Sequence, residues 1–99
     1  MEEQFIRTAR LIGEEAVEKL AKSKVLLFGV GGVGSFAAEA LVRAGVGEIT
    51  LVDGDTVAPS NLNRQLVALH STIGRGKAEV MADRIRDINP ACRVTPLQI

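Results

Sequence analysis

The chain is short of several things. Its 99 residues include one cysteine, no tryptophan or tyrosine and three phenylalanines, and its twelve basic residues are matched by twelve acidic ones. A lone thiol, Cys92, closes no internal disulfide and builds no zinc site. Without Trp or Tyr, aromatic platforms for stacking nucleic-acid bases are not evident. Balanced charge argues against a nucleic-acid coat and against a membrane-surface role. No window is long and apolar enough to span a bilayer. The opening Met1-Glu2-Glu3-Gln4 lacks the basic start and apolar core of a signal peptide. These absences fit a reducing cytoplasm. There are also no repeats or low-complexity tracts. An apolar content of 46% is enough for the core of one small domain.

What the chain does have is a glycine cluster behind an apolar run, Val25-Leu26-Leu27-Phe28-Gly29-Val30-Gly31-Gly32-Val33-Gly34. The spacing Gly29-x-Gly31-x-x-Gly34, with an amphipathic helical pattern directly after it, predicts the strand, tight turn and helix start that bind nucleotide phosphates. Gly29 permits a turn that a Cβ would forbid, Gly31 lets backbone approach phosphate, and Gly34 lets the helix lie close on its strand. The unpaired N–H groups of the helix's first turn, together with its dipole, favour an anion there.

Pattern and punctuation predict a helix over 13–22, preceded by Arg7 and Arg10, and a strand over 24–29. A helix over 33–44 follows, with Ala37, Ala40, Leu41 and Ala44 on its packing face and Gly45 as its stop. A second strand covers 48–53, and a loop with short helical turns covers about 54–74. A helix over 76–88 carries Ala78, Met81, Ala82, Ile85 and Ile88 on one face, its charges Glu79, Asp83, Arg84, Arg86 and Asp87 forming a solvated one. A third strand begins at Cys92, whose thiol reads as buried and inert. The fold class is α/β and Rossmann-like: the N-terminal β-α-β-α-β half of a doubly wound, mainly parallel sheet. Right-handed crossovers give the strand order 3-2-1. Val25-Leu26-Leu27-Phe28 reads as a strand covered on both faces, yet this order puts it at an edge, where an apolar strand is a pairing liability. Residues 1–99 are therefore expected to be the N-terminal part of a larger domain, or to have that edge covered by another chain.

Asp53 ends the second strand 19 residues after Gly34, the place of an acid that bonds a ribose hydroxyl in such folds. Asp55 follows in a turn with Gly54 and reads equally as structural. Between Thr56 and Ala78 there is no acid, while Arg64, Arg75 and Lys77 all fall there. A triphosphate and its transfer chemistry need such cations far more than a dinucleotide does. Arg64 offers a fork to phosphate oxygens, and Asn61 can orient a phosphate or an attacking group. Lys77 opens a helix, where a cation opposes the dipole unless an anion is near. His70 has no partner motif and reads as a surface residue.

Six motifs now stand in sequence: Gly29-x-Gly31-Gly32-x-Gly34, Ala44-Gly45-Val46-Gly47, Leu51-Val52-Asp53-x-Asp55, Ser60-Asn61-Leu62-Asn63-Arg64-Gln65, Gly74-x-x-Lys77 and Ile88-Asn89-Pro90. Together, over about residues 5–95, they resemble the HesA/MoeB/ThiF family, the group related to ubiquitin-activating enzymes. Within it the chain is most similar to tRNA threonylcarbamoyladenosine dehydratases. The resemblance implies ATP-dependent adenylylation of a carboxylate, with pyrophosphate released. In the dehydratase branch the carboxylate is the threonylcarbamoyl group on a tRNA adenosine, which then cyclises with loss of water. In other branches it is the C-terminus of a small sulfur-carrier protein. The resemblance also implies that Gly29, Gly31, Gly32 and Gly34 bind phosphates, that Asp53 binds the ribose, and that Asp55 and Ser60 belong to the nucleotide-binding set. Asn61, Arg64 and Lys77 are then the phosphate and transition-state contacts. Arg7 matches an arginine that reaches into the other subunit's site, which implies a homodimer. The magnesium ligand of the family is expected outside these residues, and no CxxC pair or conjugating cysteine is present, so the 99 residues alone are expected to be inactive. Two readings compete: an NAD- or NADP-dependent oxidoreductase half-domain, which leaves Asn61, Arg64 and Lys77 unused, and a non-catalytic nucleotide-binding or dimerisation module.

Overall fold

The structure, a computed structural model, describes residues 2–99. Three parallel strands form one sheet: β1 (Lys24–Phe28), β2 (Glu48–Val52) and β3 (Arg93–Leu97), in the order β1-β2-β3. This is the expected 3-2-1 arrangement. The register sets Phe28 opposite Val52 and Val52 opposite Leu97, so all three strands end at one level. Two crossover helices join them, α3 (Gly32–Ala44) and α4 (Lys77–Ile88). Both pack on the face formed by Val25, Leu27, Ile49, Leu51 and Val94, against Ala38 and Val42 of α3 and Met81, Ala82 and Ile85 of α4.

The predicted packing face of α3 is corrected. Its buried residues are Ser35, Ala38 and Val42, while Ala37, Leu41 and Ala44 flank them half-buried and Ala40 is exposed. Alanines stand on both the buried and the exposed side of this helix, so apolar periodicity alone could not fix its phase; the close seat at Gly34 and Ser35 does. The stripe expected on α4 is buried as read, apart from half-buried Ile88.

The N-terminal segment is also corrected. Instead of one helix over 13–22, a 3-10 turn at Glu3–Phe5 leads into α1 (Ile6–Ile12), and Gly13 at φ +92° separates it from α2 (Glu14–Ala21). Arg7 and Arg10 therefore lie on a helix of their own. Buried Phe5 rests on Gly45, and the Gln4 amide Nε2 donates to the Ile88 carbonyl at 2.8 Å. These contacts fix the segment where α3 and α4 end and β2 and β3 begin, at the amino end of the sheet.

The sheet's other face is bare. Leu26 and Phe28, which the run in β1 predicts to be covered, are 59% and 72% exposed. Among the described residues β1 is thus an edge strand covered on one face only.

Candidate functional site

The carboxyl ends of the strands are where an open α/β sheet binds its ligand, and the local hydrogen bonds draw several of the motifs of this chain to that end. β1 runs into Gly29 at φ +86°, a backbone conformation that side chains rarely adopt. A Cβ at Gly34 would overlap the Gly29 carbonyl oxygen, so the helix start can sit this close only as glycine. α3 begins after Gly31 with no side-chain cap, which leaves the amides of its first turn free to meet a ligand. Ser35, fully buried, turns its hydroxyl back to the Gly31 and Gly32 carbonyls and braces the turn from below.

Asp53 ties this turn to the end of β2. Its Oδ2 accepts from the Val30 N–H at 2.8 Å and its Oδ1 accepts from the Asp55 N–H at 2.8 Å. Each carboxylate oxygen keeps a lone pair for a further donor. The Asp55 carbonyl in turn accepts from the Lys77 N–H at 3.0 Å, which places the start of α4 beside the same strand end. The loop between them closes on itself: Val57 N–H donates to the Arg75 carbonyl and Gly74 N–H to the Val57 carbonyl, each at 2.8 Å.

Lys77 is 7% exposed, on the first residue of α4. Among the described residues its ammonium makes no ion pair and no hydrogen bond. The stem is buried, and the unpaired ammonium, which is not among the buried unpartnered atoms, stands at the positive end of a helix dipole, a repulsion that an anion relieves.

The Ser60–Gln65 segment begins with a 3-10 turn, Pro59–Asn61. Buried Asn61 holds that turn, its Oδ1 accepting from the Ala58 N–H at 2.9 Å, which leaves its Nδ2 as a donor. Arg64 is exposed and bound only to its own segment, donating from Nη1 to the Ser60 carbonyl at 3.1 Å and to Asn63 Oδ1 at 2.8 Å. No carboxylate claims it among the described residues. Arg75, counted with these cations in the sequence, is corrected: Glu79 at 2.5 Å and Asp83 at 2.7 Å neutralise it and hold it more firmly charged. The α4 charges thus form an ion-paired face rather than a merely solvated one; Arg84 also reaches across to Glu39 on α3.

The structure brings together the glycine turn, Asp53, Asp55 and Lys77, and adds a residue the sequence reading left without a role. The Gln65 carboxamide lies over Gly31, with Nε2 3.4 Å from where a Cβ would stand. It is this long-range contact that seats the Ser60–Gln65 segment on the glycine turn. Arg7 is not brought in. It lies two residues past Phe5, at the amino end of the sheet, a strand length of about 17 Å away. Cys92 is buried, and burial followed by the charge of Glu48 pushes its thiol up, as an inert residue requires. His70 is exposed.

Residues 4–99 match the ThiF family. The chain belongs to the ThiF family. It is 56% identical over 93 residues to a tRNA threonylcarbamoyladenosine dehydratase of Escherichia coli, covering 94% of this chain and 35% of that protein. It is 45% identical to the molybdopterin-synthase adenylyltransferase of the same organism, covering 81% of this chain and 32% of that protein. A crystal structure of E. coli tRNA N6-threonylcarbamoyladenosine dehydratase in complex with ATP superposes with a TM-score of 0.94 at 54% identity, over 97% of this chain and 40% of that one. The ThiF chain described here therefore spans about a third of the length of these curated relatives. No helix among its described residues is long and apolar enough to cross a membrane.

Proposed function

We propose that this ThiF-family chain is the N-terminal part of a single ATP-binding domain that adenylylates a carboxylate in the cytoplasm, most closely the threonylcarbamoyl group on a tRNA adenosine, which then cyclises with loss of water. The observation that carries the reading is Lys77: a largely buried side chain whose unpaired ammonium stands at a helix start, joined through Asp55 to the glycine turn. A site that keeps such a charge is built around a highly anionic ligand. The ATP complex of the dehydratase relative supports a nucleoside triphosphate as that ligand.

In the reaction a carboxylate oxygen attacks the α-phosphorus, the bond to the α–β bridging oxygen breaks, and pyrophosphate leaves. The free amides at the start of α3, Gly32 and Gly34 with Gly31 just before them, hold phosphate oxygens, while Gly29, whose N–H donates to the Val52 carbonyl at 2.8 Å, makes the turn that presents them. Asp53, with the Asp55 N–H bonded to it, receives the ribose side of the nucleotide, and Ser60 joins the nucleotide-binding set from the Pro59–Asn61 turn. Lys77 and Arg64 face the charge that grows on the departing phosphates, and Asn61 Nδ2 orients the α-phosphate. ATP arrives with magnesium. The protein ligand of that magnesium is proposed to lie outside residues 1–99. Arg7 is proposed to act in the second subunit of a homodimer.

A second reading is favoured by the 45% identity to molybdopterin-synthase adenylyltransferase: the carboxylate is then the C-terminus of a small sulfur-carrier protein. Pyrophosphate–ATP exchange by the intact protein distinguishes the two. Exchange that needs threonylcarbamoyl-modified tRNA supports the first, and exchange that needs a carrier protein supports the second. Tight binding of NAD with no exchange on either substrate would replace both with an oxidoreductase.

A further inference from the structure

We infer that Gln65 is a phosphate-contacting residue, a donor that joins the Ser60–Gln65 segment to the bound nucleotide. The inference rests on the adenylylation reading above and extends it to a residue that reading does not use.

Three observations meet at this side chain. The carboxamide covers Gly31, with Nε2, Cδ and Oε1 at 3.4, 3.6 and 3.6 Å from the site of a Cβ. Its Oε1 is buried and has no hydrogen-bond partner. Its Nε2 is not among the buried unpartnered atoms and bonds nothing described, so it faces the open side. The amide therefore turns its acceptor inward, where nothing answers it, and its two N–H groups outward over the turn that receives phosphate. Phosphate oxygens are acceptors only, so the group presented to them is the one they can use.

The Gln65 amide lies in ordinary van der Waals contact with the place a Cβ of Gly31 would take, so a side chain from a distant segment reaches the phosphate turn. Arg64 is the residue before Gln65, and the segment's backbone bonds, Arg64 N–H at 3.2 Å and Gln65 N–H at 3.0 Å to the Asn61 carbonyl, make them move together. A nucleotide that engages Gln65 seats Arg64 as well.

The test is calorimetric titration of the intact protein with ATP–magnesium, AMP and adenosine, for the wild type, Gln65→Ala and Gln65→Glu, with thermal melts of each. Loss of one hydrogen bond to a charged group predicts about tenfold weaker ATP binding for Gln65→Ala. Gln65→Glu puts a carboxylate against the phosphates and predicts a larger loss. Adenosine affinity stays within about twofold, since it presents no phosphate. Equal losses for ATP and adenosine, with a lowered melting temperature, would make Gln65 a structural residue and overturn the inference. Unchanged ATP affinity in Gln65→Glu overturns it too, and leaves the adenylylation reading standing. A wild type that binds no ATP removes that reading and this one with it.

Discussion

An extra methyl group at Gly34 would run into the Gly29 carbonyl oxygen, which is backbone and cannot swing aside. At Gly31 the same methyl would meet only the end of the Gln65 side chain, at 3.4 Å. Gly34→Ala is therefore expected to destabilise by about 3 kcal/mol or more, read as a lowered urea midpoint, and Gly31→Ala by under about 1 kcal/mol. Lys77 predicts the opposite pattern. The residue is 7% exposed and its ammonium is unpaired at the positive end of a helix, so the apolar Lys77→Met is expected to melt at the same temperature or higher while pyrophosphate exchange falls at least about a hundredfold. A parallel loss of stability and activity would mean that the lysine is a packing residue. The lysine was legible in the sequence because a cation on a helix's first residue conflicts with the dipole, which is a local fact. Gln65 was not, because its meaning is a contact with Gly31 across 34 residues of chain. Nothing in its neighbours' identities encodes that approach.

Among elements, the glycine turn, β2, α4 and the strand order were legible for the same local reason: each has its own punctuation or a clear apolar stripe. α3 lacks one, since its alanines leave the phase to tertiary contact. α1 was missed because Ile6, Leu11 and Ile12 are all exposed, so it has no inward stripe to detect. The lateral seam between α3 and α4 was not legible either. Glu39 accepts from Arg84 on α4 and from Arg43 one turn on, and the Arg84 hydrogen bond is the main reason its carboxyl lies below the 4.5 usual for glutamate. A depressed carboxyl stabilises the fold above its ordinary value and loses that contribution as pH falls through the folded one. Glu39→Gln should thus destabilise by less than about 1 kcal/mol at neutral pH. Urea midpoints of the two proteins should converge as pH falls below the ordinary glutamate value and through the lower folded one, because protonation then does to the wild type what the substitution does permanently. A gap that widens on acidification would contradict this pairing.

At the scale of the whole molecule, the two halves of the proposed cation set stand at opposite ends of one sheet. Lys77 is tied to the carboxyl ends of the strands through Asp55, and Arg7 to their amino ends through Phe5 and Gly45. Five-residue strands separate them by about 17 Å, farther than an arginine side chain reaches. Arg7 therefore cannot serve the site of its own chain without dismantling the N-terminal packing, and any role it has in adenylylation is played in a second copy. This makes complementation the decisive measurement. Arg7→Ala and Lys77→Ala proteins should each be inactive in pyrophosphate exchange, since in the proposed homodimer every site of either protein would lack one cation. In the mixed dimer the two lesions fall together in one site and the other site is whole. Random exchange of subunits makes half the dimers mixed, so the mixture should recover about a quarter of wild-type activity. If Arg7 worked in its own chain, both sites of the mixed dimer would carry one lesion and mixing would restore nothing. If Arg7→Ala alone kept full activity, the arginine would have no part in the reaction.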